Sequence, residues 1–192
     1  MSPEQTLQEF RSADALLEGH FILSSGLHSR AYLQCARVLM QPQRAARLGA
    51  ALAEQVKANG PIDAVVAPAM GGLIIGHEVA RALDVPSMFL ERVDGTFTLR
   101  RGFELTGRPR VAMIEDIVTT GLSSREAITA IAAHGGEVVA AGCLIDRSDG
   151  TADVGAPLSS LARLSIETFE ADQVPDDLQD VPAIKPGSRG LK

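Results

Sequence analysis

The sequence predicts an α/β fold in which a parallel sheet is flanked by helices. Short apolar runs alternate with helical stretches along the chain, which is typical of strand-then-helix units. The apolar runs lack polar alternation, as strands buried on both faces do. Aromatic residues make up 4% of the chain, so Ala, Val, Leu and Ile must do most of the packing, which suits helices against a sheet.

The chain is predicted to open with a helix. Residues 3–18 form a short amphipathic segment, because Leu7, Phe10 and Leu17 stand at helical spacing. Residues 20–29 follow as a strand-like pair of turns that ends in a loop of Ser, Gly and His.

The repeating part of the chain begins with a second helix. It starts at Pro42, since proline is favoured at the first helical position, and it ends before Asn59-Gly60-Pro61. Four strands are then predicted over 64–67, 87–90, 111–114 and 138–145, with helices over 73–83 and 123–134. The sequence contains neither an internal repeat nor a linker, so residues 1–192 are expected to form one domain.

The connection over residues 91–109 is long, and it is rich in Gly, Thr and Arg. It is too polar and broken to be expected in the core. Within a compact domain such a connection is a lid, a hairpin or a disordered tongue.

Composition excludes several classes of function. The net charge of −6 argues against a nucleic-acid partner, which requires a surplus of Lys and Arg. No apolar run approaches the roughly 18 residues of a membrane span, and the polar N-terminus is no signal peptide, so a cytoplasmic location is expected. Cys35 and Cys143 have no metal-binding spacing and are expected to be buried thiols.

A phosphate site is predicted where the third of these strands ends. Ligands of open α/β sheets bind at the carboxyl ends of strands. The amides at the start of the next helix are unpaired and carry a partial positive field. Thr119, Thr120 and Ser123 add hydroxyl donors, and Gly121 lets the backbone approach closely. The segment therefore fits one phosphate monoester.

Glu115 and Asp116, called the acid pair below, stand just before this phosphate site. They would repel a phosphate in the same place, but carboxylates accept hydrogen bonds from a sugar diol beside it. Together the two features describe a ribose 5-phosphate site. An ordinary capped helix start explains any single residue of the run, yet it explains poorly why two acids end a buried strand. Triphosphate and dinucleotide loop motifs are absent from the sequence.

The segment 111–124 resembles the phosphoribosyl pyrophosphate signature of the type I phosphoribosyltransferases: an apolar strand, two acids, two small residues, Thr-Thr-Gly and then a small or hydroxyl residue. The rest of the chain is similar to a short bacterial branch of the orotate phosphoribosyltransferases. That similarity lies in residues 20–29, 32–35, 89–92, 99–103, 146–148 and 185–189. The resemblance extends over about residues 16–189.

The resemblance implies a flavodoxin-like fold with a small hood built from about residues 1–40 and the C-terminal tail. It also implies Mg²⁺ held mainly through the substrate, and a homodimer with shared active sites. The implied reaction transfers the 5-phosphoribosyl group of 5-phosphoribosyl 1-pyrophosphate (PRPP) to orotate, for pyrimidine synthesis. A phosphoribosyltransferase for a purine base and a non-catalytic regulator that senses PRPP are the alternatives, and the acidic charge disfavours the second.

The resemblance also assigns residues. The PRPP contacts fall on Glu115, Asp116, Ile117, Val118, Thr119, Thr120, Gly121, Leu122 and Ser123. Arg92 falls where an arginine meets pyrophosphate, and Thr119 and Arg147 fall where the family contacts orotate. A guanidinium suits a carboxylate, although a surface salt bridge to Asp146 or Asp149 is the alternative for Arg147. No general base is assigned, because the ring nitrogen of orotate attacks as an anion.

The chain departs from many of these relatives by its lack of lysines. Residues 24–25, 69–72 and 95–101 contain none, so the pyrophosphate charge is left to Arg92, Arg100, Arg101 and Mg²⁺. Leu122 replaces a smaller residue and is expected to tighten the phosphate fit. His28 lies in the Ser-Gly loop, either as a ligand contact or as a surface histidine.

Overall fold

The computed structural model describes residues 1–23 and 26–185, and these form six helices and nine strands. In chain order the elements are α1 (Pro3–Arg11), β1 (Leu16–Ile22), β2 (His28–Leu33), α2 (Cys35–Leu39), α3 (Pro42–Lys57), β3 (Ala64–Pro68), α4 (Gly72–Leu83), β4 (Ser87–Val93), β5 (Thr96–Leu99), β6 (Arg110–Val118), α5 (Leu122–Ala133), β7 (Glu137–Asp146), β8 (Leu158–Arg163), β9 (Thr168–Phe169) and α6 (Asp176–Gln179).

The main sheet has six strands in the order β5-β4-β3-β6-β7-β8. All neighbouring pairs are parallel except β4 and β5. Each central strand is buried on both faces: in β3, Val65 belongs to the hydrophobic core on one face, and Val66 to the core on the other. This two-sided burial is why the strands lack polar alternation. The predicted parallel sheet flanked by helices is therefore confirmed.

The N-terminal region differs from its prediction. Helix α1 ends at Arg11 instead of reaching residue 18, because the chain turns at Asp14, which adopts a positive φ of 49°. Leu17 consequently lies in β1. Residues 20–22 and 28–29 belong to strands β1 and β2, which pair antiparallel, and not to the predicted pair of turns. The short helix α2 was not predicted, because five residues show no periodicity.

A three-stranded sheet of β1, β2 and β9 stands apart from the main sheet. The C-terminal segment joins it, since the amide of Ile22 donates to the carbonyl of Ile184 at 2.8 Å. Arg30 on β2 also forms an ion pair with Asp177 in α6. The predicted features at residues 24–25 and 186–189 lie outside the described residues.

The connection over residues 91–109 includes the hairpin of β4 and β5, one of the three alternatives. The expectation that it stays out of the core is wrong for part of its length. Phe97, Leu99 and Leu105 are buried in the core between the sheet and α5. Phe97 and Leu99 alternate with threonines, and this two-residue period places both on the buried face of β5.

Both cysteines are buried and free, as predicted. Within residues 1–23 and 26–185, the helices lack the length and apolar character that crossing a membrane requires.

Truncating the core under α3 is expected to destabilise the protein. Leu52 is fully buried beside Gly142 of β7, so Leu52→Ala should lower the free energy of unfolding by about 2–5 kcal/mol. Glu54 is exposed on the same helix, and Glu54→Ala should change it by less than about 0.5 kcal/mol. Chemical denaturation measures both variants, and equal losses would show that helix propensity, not core packing, determines the effect.

Candidate active site

The carboxyl end of β6 and the start of α5 bring the predicted phosphate residues together. Strand β6 continues to Val118, past the predicted end at residue 114, so the acid pair lies within the strand. Residues 119–123, called the phosphate loop below, then lead into α5. Together with Glu115, Ile117, Val118 and Ser124, they surround a cavity of about 130 Å³, called the small cavity.

The geometry of the phosphate loop leaves donors exposed. Gly121 is the N-cap residue of α5, with a φ of 75° and no side-chain bond to cap the helix. A Cβ atom there would lie 3.1 Å from Val154 and 3.2 Å from the carbonyl oxygen of Asp153, so the close packing favours glycine. The hydroxyl of Thr120 already contacts the amide of Leu122 at 3.3 Å. Thr119, Thr120 and Ser123 are exposed, so their hydroxyls are accessible to an anion.

A second cavity of about 280 Å³, called the central cavity, adjoins the first. The two share Glu115, Ile117 and Ser123. The remaining lining comes from Asp116, from Arg92 and Phe97 of the β4–β5 hairpin, and from the segment after β3, at Pro68, Ala69, Gly71 and Gly72. A small cavity therefore adjoins a larger one that is lined by carboxylates and a guanidinium.

The resemblance singled out residues 69–72 only for their lack of lysine, and none of the segment 68–72 was assigned to the site. A Cβ atom on Gly71 would lie 2.7 Å from both carboxylate oxygens of Asp116, so only glycine lets this backbone approach the acid pair. The Gly-Gly sequence directly after a buried strand was the available signal, because glycine at a strand end often marks a close backbone approach.

Glu115 is buried and Asp116 is half-buried, and both carboxylates are firmly held. Glu115 accepts a hydrogen bond from the hydroxyl of Ser124, and Asp116 accepts one from the amide of Ile117 at 2.9 Å. Burial raises the pKa of Glu115, against the hydrogen bonds of Ser124 and Ser123. Burial likewise raises the pKa of Asp116, against the amide of Ile117 and the thiol of Cys35. Ser124 and Cys35 escaped prediction because their contacts form only in the folded chain.

Arg147 follows β7, next to the phosphate loop. Its amide donates to the carbonyl of Val118 at 2.7 Å, and its guanidinium is half-buried. The Nε atom is buried without a hydrogen-bond partner among the described residues, and burial lowers the pKa of the group. An unpaired buried donor is costly, and a carboxylate ligand would satisfy it.

The alternative of a surface salt bridge for Arg147 is wrong for the described part of the chain, where it pairs with neither Asp146 nor Asp149. The carboxylate of Asp146 instead accepts hydrogen bonds from the amide of Ser148 at 2.8 Å and the amide of Gly150 at 2.9 Å. Asp146 therefore shapes the loop that carries Arg147.

Arg92 lines the central cavity, and three contacts fix its guanidinium. One Nη donates to Glu126 at 2.5 Å, the other donates to the carbonyl of Gly95 at 2.7 Å, and the group stacks 3.9 Å from the ring centroid of Phe97. These contacts leave further donors of the guanidinium for an anion.

The other predicted cations lie elsewhere. Arg101 pairs with Glu91 at 2.7 Å and Arg100 lies 4.0 Å from the same carboxylate, so neither lines the small or the central cavity.

His28 lies in β2, not in a loop, and its Nδ1 contacts the Nε2 of His20 at 2.6 Å. It is a half-buried strand residue, and its contact with a ligand stays a prediction.

Comparison with known proteins is consistent with this geometry. The family model described as "Phosphoribosyl transferase domain" matches residues 36–178. An orotate phosphoribosyltransferase of Parvibaculum lavamentivorans is 59% identical, with all of both chains covered. One from Rhizorhabdus wittichii is 58% identical, with 98% of this chain and 97% of the relative covered.

Solved structures show the same architecture. The orotate phosphoribosyltransferase of Aeropyrum pernix superposes with a TM-score of 0.64 at 26% identity, covering 82% of this chain and 92% of its own. The Mycobacterium tuberculosis enzyme in complex with PRPP gives 0.62 at 25% identity, covering 84% of this chain and 97% of its own.

The acid pair should destabilise the protein at neutral pH. Because burial raises the pKa of Asp116 above its ordinary 3.8, the folded protein binds this proton more tightly than the unfolded chain. The free energy of unfolding therefore falls as the pH rises from about 3.8 through the folded pKa. Asp116→Asn removes that charge, so it should raise the Tm at neutral pH and change it little in acid.

Asp63 provides a control of opposite sign. The hydrogen bonds of Arg110 lower the pKa of Asp63 from its ordinary 3.8 to about 2. The stability that Asp63 contributes is therefore present above pH 3.8 and is lost as the pH falls towards 2. Asp63→Asn should therefore lower the Tm at neutral pH, with the difference vanishing near pH 2. Calorimetric Tm values across pH measure both, and a lower Tm for Asp116→Asn at neutral pH would contradict the burial argument.

Proposed function

The chain belongs to the phosphoribosyltransferase family, and we propose that it transfers the 5-phosphoribosyl group of PRPP to orotate, forming orotidine 5′-monophosphate and pyrophosphate. Orotate phosphoribosyltransferases match it at 54–59% identity over almost the whole chain, so it is a pentosyltransferase of pyrimidine synthesis. The observation that carries the assignment is the unpaired Nε of Arg147, a residue whose amide donates to Val118 in the lining of the small cavity.

The 5-phosphate of PRPP occupies the small cavity. The first amides of α5 and the hydroxyls of Thr119, Thr120 and Ser123 donate to it, and the positive end of the helix dipole favours its charge. The ribose lies over the acid pair, where Asp116 and Glu115 accept hydrogen bonds from its two hydroxyls. One oxygen of Glu115 is already committed to Ser124, which fixes the direction of the other.

The pyrophosphate group lies in the central cavity, against the segment 68–72 and Arg92. Mg²⁺ fits here because phosphate, ribose and carboxylate oxygens are the ligands that it prefers. Over residues 1–23 and 26–185, no group of three or more His, Cys, Asp or Glu could hold a metal ion, so the ion would depend on substrate oxygens. When bound, it would neutralise charge on the leaving group.

Orotate binds on the other side of the ribose. Arg147 holds its carboxylate through two-point hydrogen bonds, and the hydroxyl of Thr119 contacts the ring. Positive charge builds on the ribose as pyrophosphate departs, and the carboxylates of Glu115 and Asp116 lie beside it. Catalysis is then positioning and electrostatic stabilisation, and the protein supplies no general base.

Three further features belong to the proposal. The sheet of β1, β2 and β9 with the C-terminal segment acts as the hood of a single domain, and the protein works in the cytoplasm. It forms a homodimer in which the part of the 91–109 connection that carries Arg100 and Arg101 reaches the neighbouring site, while Arg92 and Phe97 line the central cavity of their own chain. The position of Arg100 and Arg101 outside the cavities of their own chain supports this arrangement.

Removing the guanidinium should damage orotate use selectively. Arg147→Ala loses a charged hydrogen bond of about 1.5–3 kcal/mol, so kcat/KM for orotate should fall by roughly 10- to 100-fold, while calorimetric PRPP binding stays nearly unchanged. The assay follows orotate absorbance with PRPP and Mg²⁺. Arg81→Ala, which breaks a surface ion pair with Glu78, is the matched control and should leave both values unchanged.

Two results would contradict this assignment. Equal losses for orotate and PRPP would place Arg147 on the phosphate side of the site or make it structural. Turnover of a purine base but not of orotate by the unaltered protein would refute the function itself.

Subunit exchange tests the shared site. If Arg101 acts in its neighbour's site and Asp116 in its own, mixing inactive Arg101→Ala and Asp116→Asn proteins puts both lesions in one site of each heterodimer and leaves the other site intact. Half of the dimers are mixed, so roughly a quarter of the original activity should return. Activity that stays near zero after verified exchange would assign the loop to its own chain.

A further inference from the structure

We propose that Glu126 is a positioning residue, which fixes the guanidinium of Arg92 for the pyrophosphate end of PRPP. This inference rests on the function proposed above, and it assigns a role to a side chain that faces away from the substrate. The carboxylate of Glu126 lies 2.5 Å from an Nη atom of Arg92. Among the described residues this distance is shorter than the 2.7 Å from the other Nη atom to the carbonyl of Gly95.

The arginine forms part of a wall between two cavities. Arg92 and Phe97 line the central cavity, and they also line an outer cavity of about 410 Å³ between the β4–β5 hairpin and α5. Glu126 lines only the outer cavity. It can therefore influence PRPP through Arg92, and its negative charge stays on the side of the wall away from the pyrophosphate.

Helix α5 links the two ends of the substrate through this contact. Ser123 faces both the small and the central cavity, and Glu126 stands three residues later, on a neighbouring part of the same helix surface. The 5-phosphate binds the start of α5 directly. The pyrophosphate binds Arg92. Because Glu126 holds Arg92, the position of this guanidinium depends on the same helix.

The expected effect follows from side-chain ordering. Arg92 is exposed, and a free arginine side chain samples many rotamers that binding must restrict. Glu126 restricts them before PRPP arrives, together with the carbonyl of Gly95 and the ring of Phe97. Losing this preorganisation should raise the KM for PRPP by roughly two- to tenfold. The KM for orotate should not change, because its site lies on the side of Arg147.

A double-mutant cycle separates positioning from a structural role. Glu126→Ala, Arg92→Ala and the double variant are compared by steady-state kinetics for both substrates and by calorimetric PRPP binding. Glu126→Ala should weaken PRPP in the original protein and have no further effect once Arg92 is alanine. Glu126→Gln, which keeps a hydrogen-bond acceptor, should recover part of the loss. Glu4→Ala breaks a remote Arg–Glu contact of 2.8 Å and should change nothing.

The outcomes distinguish this inference from its premise. If Arg92→Ala leaves PRPP binding unchanged, the proposed role of Arg92 fails and the inference falls with it. Suppose that Arg92→Ala weakens PRPP binding. If Glu126→Ala then adds its full effect in the Arg92→Ala protein, or strengthens PRPP binding, the positioning role is overturned while the proposed function stands. Failure of the unaltered protein to consume orotate would refute the proposed function. Calorimetric PRPP binding to the four proteins would still measure the coupling between Glu126 and Arg92.

Discussion

Two adjacent carboxylates inside a buried strand are the constraint on which the rest of the site depends. Glu115 and Asp116 sit in β6, where desolvation raises the pKa of both groups. The surrounding structure compensates with specific donors: the hydroxyl of Ser124 on α5 and the amide of Ile117 in the strand itself. Gly71 has no side chain because a Cβ atom would collide with Asp116. Neighbouring elements are thus shaped around the acid pair.

Positive groups surround these carboxylates without neutralising them by direct contact. The start of α5 and Arg92 border the central cavity that contains the acid pair, and the amide of Arg147 donates to the carbonyl of Val118 at the end of β6. Arg92 is anchored to Glu126, and the loop of Arg147 is shaped by Asp146. Separated charges of both signs leave a cavity in which a polyanionic sugar can meet donors at its phosphates and acceptors at its hydroxyls. In the proposed function, each part of the substrate meets a different structural element.

The fold was largely predictable because the central strands are buried along most of their length, and such strands are recognisable as apolar runs. Apolar runs such as β3 and β7 are buried on both faces, so their hydrophobicity identifies them without any knowledge of neighbours. The β4–β5 hairpin was harder, since its buried residues alternate with polar ones in a segment rich in Gly and Arg. Phe97 and Leu99 belong to the core only because α5 covers that face of the sheet. The end of α1 was misplaced for a similar reason: Leu17 fits helical spacing and strand pairing equally well.

The sequence by itself determined the parallel α/β architecture, the phosphate loop and the acid pair, because each depends on residues adjacent in the chain. The strand, the two acids and the Thr-Thr-Gly turn follow one another directly, so the chain itself places them side by side. Only the tertiary structure decided which distant groups meet that segment. Gly71 against Asp116, Cys35 beside the same carboxylate, and Glu126 holding Arg92 are contacts between separate elements. Such contacts are set by how the sheet brings strand ends together, and no local pattern in the chain encodes them.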